Sequence, residues 1–336
     1  MNNPISIFSA IALILFSCAP QHEYAELNGL TQGTTYHIVV EKTPGLDVMA
    51  LRQEIEQLFT EIDNSLSIYN DSSVISAINA NRSDLTDSLF REVFRASSQI
   101  SSESRGLFDI TIGPLVKSWG FGPDAMKRFD ESMLDSLLAL VGMDKVHLEG
   151  DRIIKADPDM FIDVNAIAQG YTVDLVADLI VRAGISQCLV EVGGEVRTVG
   201  DKHGMGWKVG IDTPADGNYV PGADIQARIR LDNLALATSG NYRKFFVEDG
   251  IKYSHTIDPR TGYPVRHTLL SATIIAPTGA VADAWATACM VGGRDEAIAF
   301  IEKHDLLEGY LIYSDENGTM KSWISEGLRE MIIPEK

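Results

Sequence analysis

Apolar periodicity changes character along the chain, and its order limits the fold more than any single motif. Leu51, Ile55, Leu58, Phe59, Ile62 and Leu66 recur at steps of 4, 3, 1, 3 and 4, which puts one apolar stripe on a helix from about Asp47 to Leu66. A second helix runs from the capping residue Thr86 through Leu89, Phe90, Val93, Phe94 and Ile100 to a stop at Gly106. Thr34–Glu41 reads as a strand, and short strands follow at Lys145–Leu148, Arg152–Ala156 and Met160–Val164. A helix over about Ala168–Ala183 precedes strands at Cys188–Val192 and Val196–Val199. Further on, Ile225, Ala227, Ile229 and Leu231 alternate with polar residues, as a half-buried strand requires. Ser271–Ala276 is a strand ended by Pro277, Val281–Met290 and Asp295–His304 are helical, and Gly309–Tyr313 and Thr319–Ile324 close the chain as strands. Helices gather early and strands late without regular βα alternation. That order argues for an α+β fold rather than a doubly wound sheet. The stretch from Ile211 to Asp224, with two Pro and two Gly, reads as an exposed insertion.

The first 22 residues carry no charged side chain, and Ile5 to Phe16 is a run of 12, apolar apart from Ser6 and Ser9. That length fits a signal-peptide core and falls short of the roughly 20 residues a membrane span needs. It ends in Ser17-Cys18, followed by Ala19-Pro20 and polar sequence, which resembles a bacterial lipoprotein cleavage site. Residues 1–17 then form a signal peptide, Cys18 carries lipid that holds the protein to a membrane surface, and residues 18–28 form a linker. A start without Lys or Arg, and Phe16 where a smaller residue is usual, depart from that pattern.

With 28 Lys+Arg against 47 Asp+Glu, the formal charge is −19. Phosphate-backbone binding needs clustered cations, so nucleic acid is excluded as a partner. Three cysteines exclude a disulfide scaffold and a Cys-rich zinc module. Cys188 and Cys289 sit in apolar sequence and read as buried thiols, with a disulfide between them left open. No P-loop, H-E-x-x-H or G-x-S-x-G occurs. Gly204, Gly206 and Gly210 mimic part of a dinucleotide fingerprint, but a strand follows where a helix is required. The seven histidines are scattered with no metal-ligand spacing and read mostly as solvated or core residues.

Four polar, glycine-punctuated segments carry chemistry. The first runs from Gly106 to Pro114 and leads into Trp119-Gly120-Phe121-Gly122. In the second, Asp163 to Tyr171, a strand ends in Asp and a helix begins. Its orphan amides suit an anion such as phosphate, unless Asp163 or Asn165 simply caps them. The third, Ser254 to Gly262, holds His255 between tight-turn signals, and imidazole accepts a proton near neutral pH. In the fourth, Asp283 and Thr287 stand four apart on a helix and offer hard oxygens suited to Mg²⁺.

In this order the segments resemble the ApbE family, the FAD:protein FMN transferases. The resemblance runs from Gly29 to about Ser325 and also rests on Gly33-Thr34-Thr35-Tyr36, Ser67-Ile68-Tyr69, Glu191 to Glu195 and Ala237 to Arg243. It implies one domain over residues 29–325 with a short tail at 326–336, and an α+β, T-fold-like body of mixed sheets and packed helices around a deep FAD cleft. FAD would be touched by Gln32, Tyr69, Leu107, Phe108, Asp109, Asp163, Gln169 and Ile257. Mg²⁺ would be held by Asp283, Thr287 and the main-chain oxygen of Ala166, and His255 would be the catalytic base. Gln32 stands where members commonly have Met, and Gln169 where many have Lys or Glu. The implied reaction moves FMN from FAD to a Thr or Ser hydroxyl of an exported acceptor flavoprotein and releases AMP. Hydrolysis of FAD to FMN and AMP, or flavin binding without chemistry, would use the same site. Placement is expected to be lipid-anchored at a bacterial membrane, facing the periplasm or exterior.

Overall fold

The computed structural model describes residues 22–121, 129–214, 222, 224–241, 245–248, 251–254 and 256–334, with only the backbone given for 245–248 and 251–254. The chain opens with strands β1 (Tyr24–Thr31) and β2 (Thr34–Glu41). Five helices follow: α1 (Val48–Leu66), α2 (Val74–Asn79), α3 (Ser88–Glu103), α4 (Gly113–Ser118) and α5 (Leu134–Ala139). After β3 (Val146–Glu149) and β4 (Arg152–Lys155) comes α6 (Ala168–Arg182). The strands β5 (Cys188–Val192), β6 (Glu195–Val199), β7 (Trp207–Asp212), β8 (Ile225–Leu231), β9 (Ala235–Gly240), β10 (Phe245–Glu248), β11 (Ile251–Ser254) and β12 (Leu269–Ala276) lead to α7 (Gly279–Lys303). β13 (Glu308–Ser314), β14 (Met320–Ile324) and α8 (Glu326–Met331) complete the described chain.

One eight-stranded sheet, ordered β1-β2-β5-β6-β9-β12-β13-β14, dominates. Every pairing in it is antiparallel. Its alternation sorts side chains to two faces. Tyr36, Ile38 and Val40 of β2 pack with Leu51, Ile55 and Phe59 of α1 and with Val173, Val176 and Ile180 of α6. Ile274 of β12 joins the core under α7, while its neighbour Ile275 packs with Ile229 and Leu231 of the β7–β8 hairpin on the other side. Covered on both faces, β12 is buried almost end to end. The α+β architecture expected from the sequence is therefore present.

Several expectations need correction. Residues 24–28 are not linker: β1 begins at Tyr24 and pairs along its whole length with β2. Only Leu27 of that edge strand is buried, so its sequence shows little alternation. The C-terminal stretch is not a loose tail, since Leu328 of α8 is fully buried and the amide of Ile333 bonds to the carbonyl of Arg228 at 2.8 Å. Met160–Val164 alternates in burial but is not a strand. The Asn79 side chain takes both the amide and the carbonyl of Ile162 at 2.8 Å, standing in for a neighbouring strand. Asp87, not Thr86, caps α3. In the Ile211–Asp224 connection, residues 215–221 and 223 lie outside the described residues. Cys188 and Cys289 are free buried thiols in separate cores, so they do not pair. No described helix is long and apolar enough to cross a membrane.

The two helices expected over 281–304 are the halves of α7, broken at Gly293, whose φ of 79° only glycine adopts easily. More consequential is where α6 meets α7. A Cβ on Gly170 would lie 2.2 Å from the Gly279 carbonyl oxygen, and one on Gly279 would lie 2.3 Å from that of Gly170. Both neighbours are backbone, so nothing flexible can yield. Gly170→Ala is expected to lower stability by about 1–3 kcal/mol through forced separation of the helices, read as a reduced urea midpoint against wild type.

Candidate active site

Most of the sequence-derived candidates gather around the start of α6. The approach to this helix is anchored by the Asp163 amide, which donates to the Ile110 carbonyl at 2.7 Å. That bond ties the second segment to the first, whose Leu107 and Phe108 side chains are buried in the main core. Asp163 Oδ1 accepts from the Asn165 amide at 2.9 Å, closing a local turn rather than capping the helix. Burial raises the Asp163 carboxyl above its usual range. Tyr69 stands over this turn with 66% of its surface exposed. Its phenol is raised by partial burial and by the Asp163 carboxylate, against an opposing contribution from the Asn165 side chain.

The helix start is met by an acid from α7. Asp283 Oδ2 accepts the Gly170 amide at 3.0 Å, and the residue is 6% exposed. Ile167, at the N-cap position of α6, makes no side-chain cap bond. Thus one of the amides expected to receive an external anion, or to be capped by Asp163 or Asn165, that of Gly170, is occupied by an internal carboxylate. The arrangement is reciprocal. Asp174 of α6 accepts the Gly279 and Ala280 amides at the start of α7, at 2.7 and 2.9 Å. Arg197 Nε lies 3.6 Å from Asp174.

Burial pushes the Asp283 carboxyl up to about 7, and the nearby Asp174 carboxylate adds to the rise. Among the described residues no ion pair offsets that charge. One helical turn on, Thr287 Oγ1 lies 3.1 Å from Ser239 Oγ of β9. A buried carboxylate without a cation, a hydroxyl on the same helix face and the half-buried turn at Ala166 make a hard-oxygen set that fits Mg²⁺.

Both glutamines belong to the same layer. Gln32, in the β1–β2 turn, donates from Nε2 to Thr172 Oγ1 at 2.8 Å, while its Oε1 is buried without a partner. The Gln169 amide crowds Gly193 in the β5–β6 turn, where a Cβ would come within 2.7 Å of Nε2. Asp109 is tied down inside the protein: Oδ1 accepts from the amide and hydroxyl of Thr111 at 2.7 and 2.6 Å, and Oδ2 from the Met143 amide at 3.1 Å. Burial raises its carboxyl. It also borders a cavity of about 670 Å³, along with Gly106, Met143, Pro259 and Arg260. Ile257 is buried in a satellite core with Leu115 and Trp119. The Trp119 indole donates to the Gly262 carbonyl at 2.7 Å, pinning the third segment to the first. Thr256 Oγ1 donates to Asn241 Oδ1 at 2.7 Å. His255 lies outside the described residues.

Gln32, Asp163, Ala166, Gln169 and Asp283 therefore cluster at the α6 start, with Tyr69 and Thr287 at its borders. Ile257 stands apart in its own small core. Sequence reasoning gave no role to Gly170, Asp174, Thr172 or Ser239. Each acts through a partner more than 40 residues away or within one helix turn of such a contact, and no local spacing marks it.

An α+β body with oxygen donors gathered at a helix crossing defines the class. The chain belongs to the ApbE family, whose profile matches residues 32–311. It is similar to the FAD:protein FMN transferase of Vibrio cholerae, 33% identical with 91% of this chain and 93% of that protein covered. The FAD:protein FMN transferase of Haemophilus influenzae is 34% identical, with 92% of each chain covered. Among solved structures, the flavin transferase ApbE from Vibrio cholerae superposes with a TM-score of 0.83 at 31% identity, covering 93% of this chain and all of that one (100%). The apo flavinyl transferase ApbE from Pseudomonas stutzeri also gives 0.83 at 31% identity, covering 93% of this chain and 97% of that one.

The two acids at the crossing give the fold a pH signature. Burial raises Asp174 from 3.8 to about 6, so the folded state holds this proton more tightly than the unfolded chain. Its contribution to stability therefore falls as pH rises between those values and is level above them. Asp174→Asn is expected to flatten the slope between pH 4 and 6 by at most roughly 3 kcal/mol, measured as urea midpoints of both proteins across that range. Parallel profiles would reject the assignment.

Proposed function

We propose that this chain transfers FMN from FAD to a Ser or Thr hydroxyl of an exported acceptor flavoprotein, with Mg²⁺ as cofactor. Its similarity to FAD:protein FMN transferases over nine-tenths of its length supports the transferase activity. The observation that carries the chemistry is Asp283: a buried acid at a helix start, raised by burial, one turn from Thr287.

In this proposal Asp283, Thr287 and the Ala166 carbonyl hold the metal. Mg²⁺ bound there supplies neutralisation of pyrophosphate charge, the main requirement of phosphoryl transfer. Exposed Tyr69 stacks on a planar ring of FAD, and Gln32 and Gln169 offer amides to the dinucleotide where a charged side chain would offer attraction. His255 takes the proton from the acceptor hydroxyl. The hydroxyl oxygen then bonds to the FMN-side phosphorus, and the bond from that phosphorus to the bridging oxygen breaks. AMP leaves with the bridging oxygen, and FMN remains as a phosphodiester.

Incubation of the chain with FAD, Mg²⁺ and an acceptor tests this directly. Flavin fluorescence staying with the acceptor on a denaturing gel is the expected result; free FMN formed without acceptor at a similar rate indicates hydrolysis, and tight FAD binding without product indicates storage. His255→Ala is expected to keep FAD binding and lose at least about a hundredfold in transfer, the lower end for a general base. Asp283→Ala is expected to bind FAD but no longer respond to Mg²⁺ titration.

Lipid on Cys18 would place this reaction at a membrane surface facing the periplasm or exterior. Cys18→Ala should move the protein from the membrane to the soluble fraction after cell fractionation; persistence in the membrane would refute a lipid anchor there.

A further inference from the structure

At the opposite end of the β1–β2 pair from Gln32, three potential metal ligands meet that the transfer chemistry does not use. His22 Nδ1 lies 2.7 Å from Glu41 Oε1, and His203 Nε2 lies 2.8 Å from the same oxygen. The two imidazoles are stacked, with centroids 3.4 Å apart and planes 15° from parallel. All three ligand atoms lie within 4.8 Å of one another. We propose that His22, Glu41 and His203 form a second metal site, selective for a divalent transition ion of the Zn²⁺ type.

The donor set carries the choice of metal. Two imidazole nitrogens and one carboxylate oxygen are borderline-soft and match Zn²⁺, whereas Mg²⁺ prefers oxygen alone. Three protein ligands would leave a fourth position for water. Ligand distances of about 2.0–2.2 Å to zinc imply ligand separations somewhat over 3 Å at tetrahedral angles. To ligate one ion, the contacts of 2.7 and 2.8 Å would lengthen and the stacked rings would rotate apart so that both in-plane lone pairs converge.

The surroundings hold the ligands in place. Glu41 is mostly shielded, with 13% of its side chain exposed, and its main-chain amide is fixed by the Gln187 carbonyl at 3.0 Å. Lys202 and His203 both adopt positive φ, 50° and 55°, a pair of left-handed residues that few side chains tolerate. The buried Gln187 side chain accepts the Lys202 amide at 2.7 Å and secures this turn. The Lys202 ammonium lies over the Trp207 ring, 4.7 Å from its centroid. Tyr24 beside the cluster keeps its hydroxyl buried without a partner. A bound ion would join residue 22 to the end of β2 and to the β6–β7 turn, closing the N-terminal end of the described body.

The test uses the full chain, free of any histidine tag, in detergent. Zn²⁺ binding is measured by titration calorimetry in the presence of excess Mg²⁺, which occupies the oxygen site. Wild type and Asp283→Ala are expected to bind one Zn²⁺ each, while His203→Ala and Glu41→Gln bind at least about tenfold more weakly. Co²⁺ should give visible absorption of a low-coordinate site in wild type and lose it in His203→Ala. Zn²⁺ should raise the melting temperature of wild type but not of that variant, whose metal-free melting and circular dichroism report whether it folds. If wild type binds no Zn²⁺ under excess Mg²⁺, or folded His203→Ala and Glu41→Gln both bind it as tightly as wild type, the proposal fails.

Discussion

The organisation of this protein depends on one close approach, the contact of α6 with α7 through Gly170 and Gly279. Because neither residue has a Cβ, the backbones meet directly. Each helix then supplies a carboxylate to the other's exposed amides, Asp174 to the start of α7 and Asp283 to the start of α6. Helix starts are electropositive, so each acid gains from the other helix's orphan donors. The cost is two carboxylates close together in a buried place, and their raised proton affinities record it. A fold that concentrates negative charge in this way creates a local demand for a cation. The proposed metal chemistry draws on that demand.

The sheet serves this crossing as a platform. Its helix-covered face carries α6 and α7, and β9 brings Ser239 to Thr287 of α7, while Thr238 and Thr273, whose hydroxyls lie 2.8 Å apart, point to the opposite face with Leu236 and Ile275. Other segments are tied in by single polar bonds, such as Asp163 to Ile110 and Trp119 to Gly262. Such bonds join segments remote in sequence without any regular secondary structure between them. Leu107 and Phe108 illustrate the division of labour: their side chains build the core, so their run can present only backbone to a ligand.

Much of the fold was legible because it follows from local rules. The α1 stripe, its start near Asp47 and the division of residues 281–304 into two helices are decided by side-chain spacing and backbone conformation within a few residues. The β7 strand after Gly206 likewise followed from its neighbours, which disqualified the glycine fingerprint. Edge elements were the failures. β1 and α8 bury one side chain each, Leu27 and Leu328, so their patterns carry almost no signal. Met160–Val164 failed in the opposite way: its alternation is real, but Asn79 supplies the hydrogen bonds that a second strand would have made.

The sequence by itself determined the α+β class, the polar segments and the Asp283–Thr287 pairing, since helical geometry fixes which residues share a face. Only the tertiary structure decided what those groups face. It set Asp283 against an amide of another helix, turned Asp109 inward to Thr111 and Met143, and brought His22 and His203 to one carboxylate from 181 residues apart in the chain. The physical reason is that charge, burial and ligation depend on distances through space, and local periodicity carries no information about which distant backbone will close on a given side chain.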